Sequence, residues 1–137
     1  MDFFIFISEQ WVLVSILVLL IYGFAFSERL KGGKPISSNE VTRLVNSGEG
    51  VLVDIRDSKE FNEGHITGAI NLPATKLDSR ISELEKHRSK LIVVTDKMGQ
   101  QAGAAGKKLR QAGFNVRRLQ GGMAEWSGQG LPLVKSR

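Results

Sequence analysis

Sixteen consecutive residues, Trp11 to Phe26 in WVLVSILVLLIYGFAF, carry no charge. No other segment restricts the chain so strongly, because so long an apolar run must be a helix kept out of water. As a helix it covers roughly 24 Å, a little short of a bilayer core of about 30 Å. A second apolar cluster, Phe3 to Ile7, precedes it, with only Ser8, Glu9 and Gln10 between. With Glu9 near the interface the apolar span lengthens, and Trp11 and Tyr22 suit the two interfacial belts. A secretory signal peptide would want a basic start and a small-x-small cleavage site, whereas this N-terminus is acidic and YGFAFSE is a poor site. A buried core helix fits badly, since the segment lies outside the domain described below. An amphipathic surface helix lacks its polar face. The reading is one N-terminal transmembrane helix over about residues 10–27, within an anchor at 1–28.

Charge gives the anchor a direction. Residues 1–26 hold Asp2 and Glu9 and no Lys or Arg; the remainder holds all 19 basic residues against 12 acids, a formal +7. Arg29, Lys31 and Lys34 follow the helix, so the positive-inside tendency puts the C-terminal domain in the cytoplasm. In a bacterium that is the inner face of the plasma membrane. KGGKP, Lys31 to Pro35, closes a short flexible linker at 29–35. So few residues hold the domain close to lipid. The basic balance suits an anionic lipid surface, whereas no aromatic-interleaved basic strip supports nucleic-acid binding. His65 and His87 lack metal-like spacing, and the sequence implies neither metal nor cofactor.

From residue 36 to 134 the pattern alternates, leaving a tail at 135–137. SSNEVTRLVNSG opens on cap residues and stops at Gly48; KLDSRISELEKHR and QQAGAAGKKLRQAGF are further helical stretches. VLVDI (51–55), GAINLP (68–73), KLIVVTD (90–96) and NVRRL (115–119) read as strands. Strands separated by helices of this length predict an α/β domain with a mostly parallel sheet flanked by helices.

Three separated motifs then fall in register. VLVDIRDSKEFNEGHITGAINLP (51–73) carries Asp-x-Arg at a strand end and then Glu-Phe-x-x-Gly-His-Ile. A strand–loop–helix follows at 91–112, and LQGGMAEWSGQGLPL (119–133) ends the domain. Their order and spacing resemble the rhodanese-like domain family. Asp54 and Arg56, at the C-terminal end of a strand where ligands bind in open α/β sheets, read equally as pocket residues or as scaffold. Glu60 and His65 read as a hydrogen-bonded scaffold that locks the loop. Gly64, Gly68, Gly121 and Gly122 read as tight turns or close packing, and Trp126 as core.

The resemblance gives the middle motif its meaning. Active family members end the strand in a cysteine whose thiolate lies in a cup of backbone N–H groups at a helix N-terminus, where it carries sulfur as a persulfide. Counting back three from Gly99 puts that cysteine at position 96, which here is Asp96. The chain contains no cysteine at all, so persulfide chemistry on a residue of this chain is excluded. The family's cysteine-dependent phosphatase relatives are excluded in the same way. An acyl-phosphate on Asp96 would need Mg²⁺ held by further acids, and none is near in sequence. The carboxylate is expected instead to fill the cup, with Lys97 alongside to neutralise it. Asp96, Lys97, Met98, Gly99, Gln100 and Gln101 then form a vestigial active-site loop with no catalytic residue.

The function implied is a membrane-anchored, catalytically silent rhodanese-like domain that recruits a protein partner or presents a basic surface to anionic lipid. Lys107, Lys108, Arg110, Arg117 and Arg118 are candidates for that surface. The alternatives are sulfur trafficking with a thiol supplied in trans, non-thiol chemistry at Asp96, and sensing of small anions.

Overall fold

A computed structural model describes residues 2–31 and 33–135. Met1, Gly32, Ser136 and Arg137 lie outside the described residues, as do the side chains of Asp2 and residues 28–31. Most of the expected tail at 135–137, and Gly32 of the expected linker, therefore fall outside. The chain divides into two compact units, Met1–Leu30 and Lys31–Arg137.

The first unit is a single helix, α1 (Asp2–Lys31). It is longer at both ends than the 10–27 expected from sequence. Ser8, Glu9 and Gln10 include no Pro or Gly, so nothing stops the Phe3–Ile7 cluster from joining the same helix. Phe3–Ser27, 25 residues, is apolar enough to cross a membrane. At 1.5 Å per residue it is roughly 37 Å long, more than a bilayer core.

The second unit is built on five parallel strands: β1 (Lys34–Ile36), β2 (Gly50–Asp54), β3 (Ile70–Asn71), β4 (Leu91–Thr95) and β5 (Val116–Leu119). Their order across the sheet is β1-β5-β4-β2-β3. The helices are α2 (Ser38–Asn46), α3 (Ser58–Glu63), α4 (Leu77–Arg80), α5 (Ala102–Gln111) and α6 (Gly122–Gly128), with 3-10 turns at Ala74–Lys76 and Ile81–His87. The α2 helix starts where its cap chemistry predicts: the Ser37 side chain accepts from the Glu40 backbone N–H. Central parallel strands are covered on both faces, so LIVVT reads as a continuous run of Leu and β-branched residues rather than an alternation. Side chains nevertheless divide by face. Ile92, Val94 and Val116 pack with Leu84, Leu109 and Phe114 in one core; Val93, Leu52 and Leu119 pack with Val41, Met123 and Trp126 in the other. The register Asp54↔Thr95 and Asp54↔Asn71 brings the C-terminal ends of β2, β3 and β4 level.

One boundary differs from the sequence reading. Lys34 and Pro35, assigned there to the linker, form the edge strand β1 with Ile36. Three residues containing a Pro give too little periodicity to announce a strand; pairing with Arg117, Arg118 and Leu119 creates it. Gly33 is likewise not a loose spacer. It is buried, with φ of 93°, and a Cβ there would lie 2.5 Å from the Val116 carbonyl oxygen. The Arg118 Nε donates to the Gly33 carbonyl at 2.9 Å. Gly33 thus belongs to the folded unit, and only Gly can hold that backbone. Gly33→Ala should destabilise the α/β unit by about 1–3 kcal/mol. The measurement is thermal unfolding of the detergent-solubilised chain followed by near-UV circular dichroism.

Candidate functional site

The site lies at the C-terminal end of the sheet, where β4 leaves Asp96 buried at 2% exposure. The chain turns through Gly99 at φ 88° and starts α5 at Ala102. That path aims three backbone N–H groups at one carboxylate. The Gly99 N–H donates to Oδ1, and the Gln101 and Ala102 N–H groups donate to Oδ2, the last at 3.0 Å. The N-terminus of α5 adds its dipole in the same sense. The Asp96 carboxylate thus occupies the cup, as the sequence suggested.

The opposite wall is the Gly-Gly pair of the third motif. Gly122, at φ 61°, would put a Cβ 2.7 Å from the Asp96 Oδ1 and 2.6 Å from its carbonyl oxygen. The Met123 N–H donates to the Asp96 carbonyl and the Ala124 N–H to the Lys97 carbonyl, each at 2.8 Å. The sequence reading of the pair, tight turns or close packing, left its partner unnamed. Its closeness to Asp96 depends on a contact across 26 residues that no local pattern reports.

Asp54 and Arg56 turn out to act together and mainly as scaffold. Asp54 is fully buried, and Arg56 grips it with Nη2 to Oδ2 at 2.7 Å and Nε to Oδ1 at 3.0 Å. The same Arg56 Nη2 donates to the Gly64 carbonyl at 2.7 Å, which ties α3 to the strand end. Asp54 lies beneath the site and does not line the cavity; Arg56 does. Asn71 completes the lock, its Nδ2 donating to the carbonyls of Asp54 and Arg56 at 3.1 and 2.9 Å. His65 is structural: its ring stacks on Phe61, Nδ1 lies 2.8 Å from the Phe61 carbonyl, and its backbone pairs with Val134. Trp126 is core, its indole N–H donating to the Pro132 carbonyl at 3.1 Å.

Two expectations need correction. Glu60 does not lock the loop: among the described residues its side chain has no ion pair or hydrogen bond, and it lines the cavity instead. Lys97 does not neutralise Asp96 through an ion pair; its side chain is exposed. The three N–H groups do that work, and a lysine facing water gains little from a carboxylate buried behind backbone. In front of the loop lies a cavity of about 320 Å³ that includes Arg56, Asp57, Glu60, Thr75, Met98 and Gln100 in its lining. Met98 stands at its rim, 57% exposed. No group of three or more His, Cys, Asp or Glu residues placed to hold a metal ion occurs among the described residues.

Comparison with known proteins gives this architecture a family. Residues 37–129 match the family model described as Rhodanese-like domain. The chain belongs to the rhodanese-like domain family. It is 37% identical over 133 residues to the uncharacterized protein YibN of Escherichia coli (strain K12), covering 96% of this chain and 91% of that one. It is 36% identical over 93 residues to a sulfurtransferase of Allochromatium vinosum, covering 67% and 85%. Among solved structures, a rhodanese-related protein from Thermoplasma volcanium superposes with a TM-score of 0.69 at 27% identity, covering 75% and 99%. The family is sulfurtransferase-related, and this chain contains no cysteine.

Two substitutions test the site. An Asn at 96 offers one oxygen and one NH₂ to three converging N–H donors, so at least one donor loses its acceptor. Asp96→Asn should cost about 1–3 kcal/mol in denaturant unfolding. Arg56→Ala strands a fully buried carboxylate and should cost about 3–5 kcal/mol by the same measurement.

Proposed function

We propose that this protein is a membrane-anchored rhodanese-like domain that works by binding and performs no sulfur transfer of its own. The observation that carries the reading is the Asp96 carboxylate, which accepts all three N–H groups that a sulfur-bearing thiolate would use. A carboxylate there has no sulfur to carry and repels an incoming anionic donor. The cavity in front of it is open, with Asp57, Glu60 and Lys97 side chains that are unpaired among the described residues and an exposed Met98 at its rim, which is the chemistry of a contact surface for a protein segment.

The anchor reading rests on α1. Its apolar side chains from Phe3 to Phe26 are all exposed in the isolated chain, more uncovered apolar surface than a soluble protein tolerates. A single pass through a bilayer covers it, and the basic residues that follow it in sequence support a cytoplasmic side for the domain. In a bacterium that side is the inner face of the plasma membrane.

A second reading, sulfur trafficking with a thiol supplied in trans, draws support from the sulfurtransferase relative and from the open cavity. Thiosulfate:cyanide transfer separates the two. The purified wild-type chain should form no thiocyanate above the blank, with or without an added thiol. Asp96→Cys should gain turnover, because the cup already presents its donors. Wild-type turnover without thiol would overturn the binding reading, and turnover that appears only with thiol would establish the second.

A further inference from the structure

The sheet has two electrically different ends. The polypeptide comes in at the N-terminal end, at Gly33 and Lys34. The segments forming that end are 33–34, 47–50, 85–91 and 112–117, and they carry Lys34, Lys86, Arg88, Lys90 and Arg117 against Glu49 and Glu85. Glu85 is held by Arg88 at 2.6 Å, which leaves Glu49 as that end's remaining acid. The positive field is felt locally: burial and then Lys86 and Lys90 hold the His87 imidazole below its usual pKa. The other end, with the cavity, is balanced: Asp57, Glu60 and Glu63 stand among Arg56, Lys59 and Lys97.

The sharpest feature is a like-charge pair. The register places Lys34 of the edge strand directly beside Arg117, both exposed. Neighbouring strands lie about 4.8 Å apart, and like charges facing each other across a ladder destabilise it. Among the described residues neither side chain makes an ion pair or a hydrogen bond. A Lys and a Pro on an edge strand protect it from pairing with another chain. That accounts for Lys34 and Pro35 but not for a second cation on the inner neighbour. Other members of the basic set named from sequence are engaged elsewhere: Lys108 pairs with Asp78 at 3.2 Å, and Arg118 donates to Gly33.

Taking α1 as the membrane anchor proposed above, we infer that the N-terminal end of the sheet, through Lys34, Lys90 and Arg117, docks on the headgroups of anionic phospholipids. A phosphodiester between Lys34 and Arg117 removes their repulsion. The chain keeps this surface within reach: three residues from Lys31, the end of α1, to Lys34 span at most about 11 Å when extended. The screening length at physiological salt is of similar size, about 8 Å.

The absence of cysteine allows a single reporter. Asn115→Cys, exposed beside β5, carries a fluorophore; Glu63→Cys, exposed at the cavity end, is the control. The full chain is reconstituted in vesicles of phosphatidylcholine alone or mixed with phosphatidylglycerol, each with a headgroup quencher. Quenching at 115 should rise with phosphatidylglycerol, fall back in high salt, and fall again in Lys34→Gln/Lys90→Gln/Arg117→Gln, with the docking constant reduced on the order of a hundredfold. Quenching at 63 should stay low throughout. Quenching at 115 that ignores phosphatidylglycerol, or persists in the triple variant, overturns the proposal; the salt arm needs no substitution. Loss of the chain from vesicles under carbonate wash overturns the anchor itself, and the docking with it.

Discussion

A parallel strand that runs out beside the start of a helix leaves backbone N–H groups converging on one point, and that point has to be filled by an acceptor. Here the acceptor is the Asp96 carboxylate. Charge-assisted hydrogen bonds contribute about 1.5–3 kcal/mol each, against roughly 1 for neutral ones, so the group that fills the cup decides the loop. Its conformation in turn places α5. The Asp96 and Lys97 carbonyls accept the first free N–H groups of α6, and Gly122 leaves the room for them. Asp96 thus ties together β4, its loop and two helices, its carboxylate holding the loop and α5 and its carbonyl holding α6.

A second lock lies next to the first. Arg56 spans the buried Asp54 and the Gly64 carbonyl, while Asn71 secures the two carbonyls around it. An ion pair this deep is costly to form and costlier to halve, which favours a defined loop over raw stability. The two locks leave the cavity between them intact. The frame around the cavity is therefore held by these side chains, with no cysteine among them.

Much of this was legible in the sequence because it is local. Ser37 capping, the β-branched run of β4 and the Asp-x-Arg turn each declare themselves within a few residues. Position 96 acquired meaning only when three distant motifs were taken together. What escaped was whatever depends on a distant partner. β1 is three residues long and exists because β5 is beside it. Gly33 reads as a spacer until the Val116 carbonyl is seen against it. Glu60 has the spacing of a salt-bridge residue yet faces the cavity unpaired. Ser8 to Gln10 suggested a helix boundary by polarity, but polarity without a breaker does not end a helix.

All five strands point the same way, which separates the place where the polypeptide comes in from the place where the cavity opens. The five residues of β4 set that stand-off at roughly 17 Å. Inside the α/β unit the inlet and the cavity therefore draw on different residues, and among the described residues no side chain serves both.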